Sequence, residues 1–168
     1  MNSLVLSIDP GKTCGLAYVH LAGPTHKRLA GFDSADYWDL LTHLDTYAQR
    51  PEYGLVAAVV VEAANALPIY REKYAEGGVK TLAKIGRNVG QTDAKADHLL
   101  WRASMLGWPV IAVKPKGEKW DDRRMREETG YAARRRTNKH NRDAIRNAWR
   151  LTRAHVADAQ QRLAQVAD

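Results

Sequence analysis

Cysteine is almost absent from this chain, since Cys14 is the only one among 168 residues. A single cysteine cannot form an internal disulfide, and without a Cys/His cluster nothing indicates a zinc site. No stretch approaches the roughly 18 uncharged apolar residues that a membrane-spanning helix needs. The first apolar run, 4–8, lacks a basic leader and is too short for a signal peptide. We therefore expect a cytoplasmic protein without membrane contact.

Outside one segment, the chain has no excess of positive charge. Residues 114–153 hold 14 basic and 6 acidic residues, net +8, whereas the whole chain has 26 basic and 19 acidic residues. Such concentration favours a polyanion partner, because each neutralised phosphate releases counterions. A solvated basic face is an equally good interpretation of a charge run alone.

Strand-like and helix-like segments alternate along the chain. The expected strands are 4–9, 15–20, 29–32, 55–61 and 108–113; the expected helices begin after an N-cap at Ser34 and at about 80 and 138, and a short one lies around 121–128. This order, β-β-β-α-β-α-β-α, predicts an α/β fold with a mixed five-stranded sheet and helices on both faces. We assign 1–153 to one domain and 154–168 to a helical tail that frays at its end.

Two of the expected strands end in an acidic residue that directly follows an apolar run. Asp9 closes Leu-Val-Leu-Ser-Ile-Asp, and Glu62 closes Val-Ala-Ala-Val-Val-Val-Glu. If the strands are parallel, both carboxylates lie at one edge of the sheet, where ligands gather in such folds. Either acid alone is more simply a strand end at the surface, but the pair indicates a site.

A third element is the pair His140 and Asp143, three residues apart and therefore on one face of a helix. Metal-binding pairs use this spacing, although a helix start also favours an acid such as Asp143 in its first turn. Two carboxylates at about 5 Å repel by roughly 3 kcal/mol at an effective dielectric of about 20. If Asp9, Glu62 and Asp143 converge, either one of them is protonated or a divalent cation lies between them. Oxygen ligands select Mg²⁺ or Mn²⁺, and a pair of ions would activate water for phosphodiester hydrolysis.

These motifs resemble those of the RuvC-type Holliday-junction resolvases, a family of RNase H-like nucleases. The blocks that carry the resemblance are Ile8–Gly11 with Gly15–Ala17, Val59–Glu62 and His140–Ala144. The resemblance implies an RNase H-like fold, a metal-binding and catalytic tetrad of Asp9, Glu62, His140 and Asp143, and two Mg²⁺ (or Mn²⁺) ions per site. It also implies a homodimer that binds four-way DNA junctions; nothing decides whether a helicase partner exists. The Arg/Trp-rich segment 114–137 departs from bacterial RuvC, as expected of a divergent or phage-encoded member acting in the host cytoplasm.

The resemblance and the local charge together indicate a set of DNA contacts. Basic side chains in the charged segment would follow phosphates, and two aromatic side chains would stack on unpaired bases at the junction centre, although either aromatic is equally well a packing residue. The predicted DNA-binding residues are Tyr70, Lys114, Lys116, Lys119, Trp120, Arg123, Arg124, Arg134, Arg135 and Arg136. The dimer contact is expected on the 80–106 helix, through Leu82, Ile85, Val89 and Leu99, which the protein's own core would use equally well.

Three functions therefore compete. The leading hypothesis is a structure-selective endonuclease that resolves four-way junctions in DNA recombination and repair. The second is another nuclease on the same fold, YqgF-like, that cleaves other branched DNA, RNA or an RNA–DNA hybrid. The third is a catalytically silent nucleic-acid-binding module that uses only the basic segment. A sugar-kinase-like phosphotransferase is less well supported, because the sequence contains no Gly-x-x-x-x-Gly-Lys-Ser/Thr loop.

Overall fold

The computed structural model describes residues 4–22, 28–49, 56–63, 79–115, 118–131 and 136–167. Five strands and five helices follow one another in these ranges. The strands are β1 (Leu4–Asp9), β2 (Thr13–His20), β3 (Leu29–Asp36), β4 (Val56–Glu62) and β5 (Val110–Val113). The helices are α1 (Tyr37–Gln49), α2 (Val79–Met105), α3 (Asp122–Thr129), α4 (Lys139–Trp149) and α5 (Arg153–Ala167).

The strands form one mixed sheet in the order β3-β2-β1-β4-β5. β1, β2 and β3 are antiparallel neighbours, whereas β4 lies parallel to β1 and β5 lies parallel to β4. A meander followed by two helical crossovers produces this topology, since parallel neighbours require a long connection. The prediction of a mixed five-stranded α/β sheet is confirmed.

Helices cover both faces of the sheet, as predicted, and each face has its own core. One core joins β-strand residues such as Val5 and Val60 to Met125 of α3 and Ile145 of α4. The other core joins strand residues on the opposite face to α1 and α2; it contains Leu6, Ile8, Val59, Val61, Leu40, Leu44 and Leu99. Successive strand residues point to opposite faces, so the continuous apolar runs of β1 and β4 are what two covered faces require.

The start of α1 differs from the prediction. β3 continues through Ser34 to Asp36, and α1 begins at Tyr37, where the Asp36 carboxylate accepts the backbone N–H of Trp38 at 2.9 Å. The Ser34 hydroxyl is used elsewhere, accepting from the side-chain amides of Asn138 and Asn141 at 2.8 and 2.9 Å. Ser34 is therefore not the N-cap, because a contact between distant parts of the chain takes its hydroxyl.

The C-terminal third contains three helices, and the short helix predicted around 121–128 corresponds to α3. α3 has its own caps: Asp121 accepts from the Arg124 N–H, and Gly130 adopts the left-handed conformation with φ 64°. α5 follows a break at 150–152, and its Val156 and Ala159 are buried in the core on the α4 side of the sheet. None of the helices in the described part of the chain combines the length and the apolar character that crossing a bilayer demands.

Candidate active site

Asp9 and Glu62 lie on the same face and at the same edge of the sheet. The last residue pair between the parallel strands is Ile8 with Val61, so the two acids follow it side by side. The register shifts between Leu4 and Val5, whose partners are Val56 and Ala58. A bulge of one residue reverses which face each following side chain takes. Without it, Glu62 would point to the α1–α2 face; with it, Glu62 shares the α4 face with Asp9.

The start of α4 brings the third and fourth residues to this edge. Asn138 is the N-cap and forms a capping box with Asn141, whose side chain accepts the Asn138 N–H at 3.0 Å. The backbone of this first turn lies directly on β2 at Gly15, where an added Cβ would come within 2.1 Å of the His140 carbonyl. Only glycine permits this approach. Gly15 therefore sets the position of the turn that carries His140.

His140 is bonded to Asp9 at the end of β1. The imidazole Nδ1 lies 2.6 Å from Asp9 Oδ2, and the Asp9 residue is 6% exposed. This hydrogen bond, more than the attraction between the charges, raises the pKa of His140 above its ordinary value, against the effect of burial. The other ring nitrogen, Nε2, lies beside Gly11, where a Cβ would come within 3.1 Å of it. The glycine turn leaves that side of the ring free of a side chain.

Glu62 is held by two side chains of α4. Its Oε2 accepts from the Asn147 amide at 2.7 Å and lies 3.5 Å from the Arg146 guanidinium. Burial, followed by repulsion from Asp9, raises the pKa of Glu62, and Asp143 adds to the rise. Asp9 and Asp143 are therefore close enough to Glu62 for their charges to repel it.

Asp143 is held by two cationic side chains. Its residue is 3% exposed, and its two oxygens lie 3.3 Å from Lys119 Nζ and 3.3 Å from an Arg146 nitrogen. The side chain of Lys119 is 55% exposed, whereas that of Arg146 is 1% exposed. The expectation that only a proton or a divalent cation offsets the repulsion among the acids is therefore incomplete, because a buried arginine does part of it.

The structure thus brings the four predicted residues to one edge of the sheet; their catalytic and metal-binding roles remain predictions. Sequence reasoning missed Gly15, Arg146 and Asn147. Arg146 and Asn147 follow Asp143 by three and four positions, so they share its helix face, and this spacing was a readable signal. Gly15 gave no signal beyond its place in the first motif.

The donor chemistry of this edge fits a divalent cation. Three carboxylates and one imidazole form an oxygen-rich set, which favours Mg²⁺ or Mn²⁺. Burial is the main cause of the raised pKa of Glu62, and the repulsion from Asp9 that adds to it is what a cation would relieve. As the side chains stand, each carboxylate contacts a protein donor. Within the described ranges, no three His, Cys, Asp or Glu side chains are arranged to hold an ion together. Metal binding would require these side chains to leave some of their present partners, of which exposed Lys119 is the most easily displaced.

The residues predicted to contact DNA are exposed or half-buried, outside the described ranges, or, in the case of Trp120, buried. Lys114, Lys119, Arg123 and Arg136 are exposed, and Arg124 is half-buried. Four more lie outside the described residues: Tyr70, Lys116, Arg134 and Arg135. Three residues of the predicted dimer contact have side chains outside the described part of the chain as well: Leu82, Ile85 and Val89.

Two of the residues predicted from the sequence have a different place. Trp120 is 5% exposed and belongs to the core with Met125 and Ile145, so the prediction that it stacks on a base is wrong. Because the ring packs with apolar side chains of α3 and α4, it is not available to a DNA base. Leu99 is fully buried in the core of the other face and is not available for a dimer contact.

Arg123 and Arg124 of α3 have acidic partners on the same segment. Arg123 lies 2.9 Å from Glu127, and Arg124 contacts Glu118 and Glu128. Exposed pairs of this kind contribute about 0–1 kcal/mol and exchange partners readily. They leave both arginines able to turn towards a phosphate.

Comparison with known proteins identifies the fold. No family model matches the chain, and no curated protein matches it. Among solved structures, T. thermophilus RuvC in complex with a Holliday junction substrate is similar over 96% of this chain and 97% of that chain, with a TM-score of 0.56 and 19% identity. A second Thermus thermophilus RuvC structure matches over 96% of both chains, with a TM-score of 0.49 and 18% identity. The chain therefore has a RuvC-like fold, the RNase H-like mixed sheet with helices on both faces.

Proposed function

We propose that this protein is a metal-dependent endonuclease that cleaves four-way DNA junctions. The observation that carries the proposal is the meeting of Asp9, Glu62, His140 and Asp143, from two strand ends and one helix start, at one edge of a RuvC-like sheet. The buried hydrophobic strands behind Asp9 and Glu62 hold two carboxylates where burial is unfavourable to their charge. A fold that serves only as a scaffold has no need of such an arrangement.

Asp9, Glu62, Asp143 and His140 would hold Mg²⁺ or Mn²⁺. A cation held there would supply activation of water and stabilisation of the charge on the leaving oxygen of the phosphodiester. The residues themselves orient and transfer protons. Asp9 orients the imidazole through Nδ1, which leaves Nε2 of His140 as the one ring atom that would either bind the cation or exchange a proton with the attacking water. Asn147 fixes the Glu62 carboxylate through Oε2.

The basic residues near the site would bind the phosphate backbone. Lys119 lies beside Asp143, and Lys114 and Arg136 are exposed, so a DNA strand that reaches the acids also meets positive charge. Tyr70 remains the aromatic candidate for stacking on an unpaired base. Backbone contacts set the position of the DNA and carry no sequence information. The T. thermophilus relative is in complex with a Holliday junction, which favours a junction substrate here.

A homodimer completes the proposal, because two symmetric strands of a junction require two sites. The described part of α2 exposes two large apolar side chains, Trp101 and Met105, which are 55% and 64% exposed. Light scattering would then give a mass near twice 18.8 kDa. A Met105→Glu variant would shift that mass towards the monomer, whereas an unchanged dimer would exclude this face.

The direct test is a synthetic four-way junction with two opposed strands labelled. We expect paired symmetric nicks that require Mg²⁺ and disappear with EDTA. Asp9→Asn should slow cleavage by at least about 10²-fold, roughly 3 kcal/mol, and retain junction binding. Asp158→Asn is the matched control, since Asp158 is exposed on α5 and pairs only locally with Arg162 at 3.0 Å; its rate should change by less than about twofold. Undiminished cleavage by Asp9→Asn would refute the assignment.

Two other functions remain distinguishable by experiment. A YqgF-like nuclease on the same fold would cleave flap, RNA or RNA–DNA hybrid substrates in preference to the junction, so one substrate panel separates it. A silent binding module would bind DNA with strong salt dependence and show no metal-dependent product. The convergence of all four predicted site residues argues against the silent module.

A further inference from the structure

The largest fully buried side chain of the described residues is charged. Arg146 lies on α4, one turn after Asp143, and is 1% exposed. A buried guanidinium is unfavourable unless acceptors surround it, and arginine keeps its charge in proteins. The position of Arg146 therefore requires partners, and the partners identify what the side chain does.

Two of the contacts are to acids of the candidate site. Arg146 nitrogens lie 3.5 Å from Glu62 Oε2 and 3.3 Å from Asp143 Oδ1, and one also donates to the Glu118 carbonyl at 2.5 Å. Paired Arg–carboxylate hydrogen bonds are usually 2.7–2.9 Å long. Arg146 is thus shared between Glu62 and Asp143, and of these three contacts the one to the Glu118 carbonyl is the shortest.

Arg146 differs from the other cations near the site in its accessibility. The Lys119 side chain is 55% exposed, so water screens it and DNA or a metal can displace it. Water cannot screen Arg146 and a ligand cannot easily displace it, because its side chain is buried and bonded to the Glu118 carbonyl. Its positive charge remains beside Glu62 and Asp143 whatever binds there.

We propose that Arg146 is a positioning residue of the proposed nuclease site, a fixed internal cation that holds Glu62 and Asp143 in register and weakens their affinity for divalent metal. The inference rests on the proposed function. One fixed positive charge among three carboxylates removes part of the attraction that a second Mg²⁺ would need. The site therefore binds one ion more readily than two, in contrast to the pair of ions that the family resemblance implies.

The alternative is that Arg146 only supports the fold by joining α4 to the Glu118 carbonyl. The two roles predict opposite changes in metal affinity. Neutralising a fixed internal cation tightens metal binding while it disturbs the orientation of the acids. Neutralising a structural support loosens the acids and weakens metal binding and cleavage together.

The experiment measures Mn²⁺ affinity and stoichiometry in DNA-free protein by electron paramagnetic resonance, beside junction cleavage at saturating Mn²⁺. Two neutral variants are compared with wild type, Arg146→Met and Arg146→Gln. The second retains a donor for the Glu118 carbonyl and serves if the first fails to fold. We expect Mn²⁺ to bind at least about tenfold more tightly, or a second ion to bind, while maximal cleavage falls at least about tenfold. Arg146→Lys keeps the charge and should stay within about threefold of the wild-type affinity.

Arg142→Met is the matched control, because Arg142 is on the same helix and bonds Trp120 and Thr137 carbonyls instead of the acids. Its Mn²⁺ affinity should stay within about twofold of wild type. Weaker or unchanged Mn²⁺ binding in the neutral Arg146 variants overturns the inference. If wild type cleaves no junction, the proposed function fails, and the relative Mn²⁺ affinities still decide the inference: a variant that binds Mn²⁺ no better than wild type contradicts it.

Discussion

α3 and α4 are both short, charged helices of the basic segment, but they use charge in different ways. On α3 the pairs are local and exposed, such as Arg123 with Glu127 and Arg126 with Asp122. On α4 two side chains reach acids of other elements: the half-buried His140 reaches Asp9 of β1, and the buried Arg146 reaches Glu62 of β4. An exposed pair at i,i+4 contributes a few tenths of a kcal/mol, whereas removing one partner of a buried pair costs several. The difference teaches that burial, rather than the number of charges, separates an exposed basic surface from the candidate site.

The largest effect is expected where the basic segment enters the core. Trp120→Ala should lower the free energy of unfolding by about 3–5 kcal/mol, because it removes a buried ring beside Met125 and Ile145. Trp38→Ala is the matched control and should cost less than about 1 kcal/mol, since Trp38 is 69% exposed. Urea unfolding measures both. A Trp120→Ala variant of unchanged stability that binds junctions poorly would restore the stacking role.

The next effect tests the contact that places α4. Gly15→Ala should destabilise the fold by about 2–3 kcal/mol, because its Cβ would meet backbone that cannot move aside. Gly31→Ala, on β3, is the control: its Cβ would lie 3.8 Å from Tyr18, an ordinary contact, and we expect a change within about 0.5 kcal/mol. Thermal unfolding compares the two. Equal stabilities would mean that α4 does not depend on Gly15.

A matched pair of arginines tests the comparison between the helices itself. Arg142→Met should cost about 1–3 kcal/mol, because it leaves the carbonyls of Trp120 and Thr137 without their charged donor. Arg123→Met on α3 should stay within about 0.5 kcal/mol. If the two variants unfold at the same denaturant concentration, the contrast between local and long-range charge is wrong.

The smallest effect is the pH dependence of the His140–Asp9 pair. Because the hydrogen bond raises the pKa of His140 in the folded protein, the pair stabilises the fold fully below about pH 6.5, the usual pKa of an imidazole. This contribution is lost as the pH rises through the raised folded pKa. The difference in unfolding free energy between wild type and His140→Gln, without metal, should therefore shrink from pH 5.5 to pH 8.5. A difference that grows with pH would reverse the sign of the shift.

The sequence alone predicts the sheet and the placement of four side chains at one edge of it, those of Asp9, Glu62, His140 and Asp143. The apolar runs ending at Asp9 and Glu62 and the helical spacing of His140 and Asp143 are local patterns, and local patterns are readable without coordinates. What escaped prediction depends on contacts between distant residues. The hydroxyl of Ser34 does not cap α1, because it accepts from the side-chain amides of Asn138 and Asn141, more than 100 residues away.

The site shows the same limit. The β4 bulge that turns Glu62 to the α4 face lies at the start of the strand, and its apolar residues give no sign of it. Trp120 looked like a DNA contact because basic residues surround it in the sequence, but its neighbours in space are apolar. Arg146 was counted as one more positive charge, since composition does not distinguish a buried guanidinium from an exposed one.

The central claim is that Asp9 and Asp143 serve one metal-dependent catalytic centre, and a double-mutant cycle tests it most directly. Single-turnover cleavage of one four-way junction in Mg²⁺ is measured for wild type, Asp9→Asn, Asp143→Asn and the double variant. Residues that act as a unit are strongly non-additive, so each single change should lose at least about 10²-fold and the double should be no slower than the slower single. Wild-type cleavage by either single variant would contradict the account.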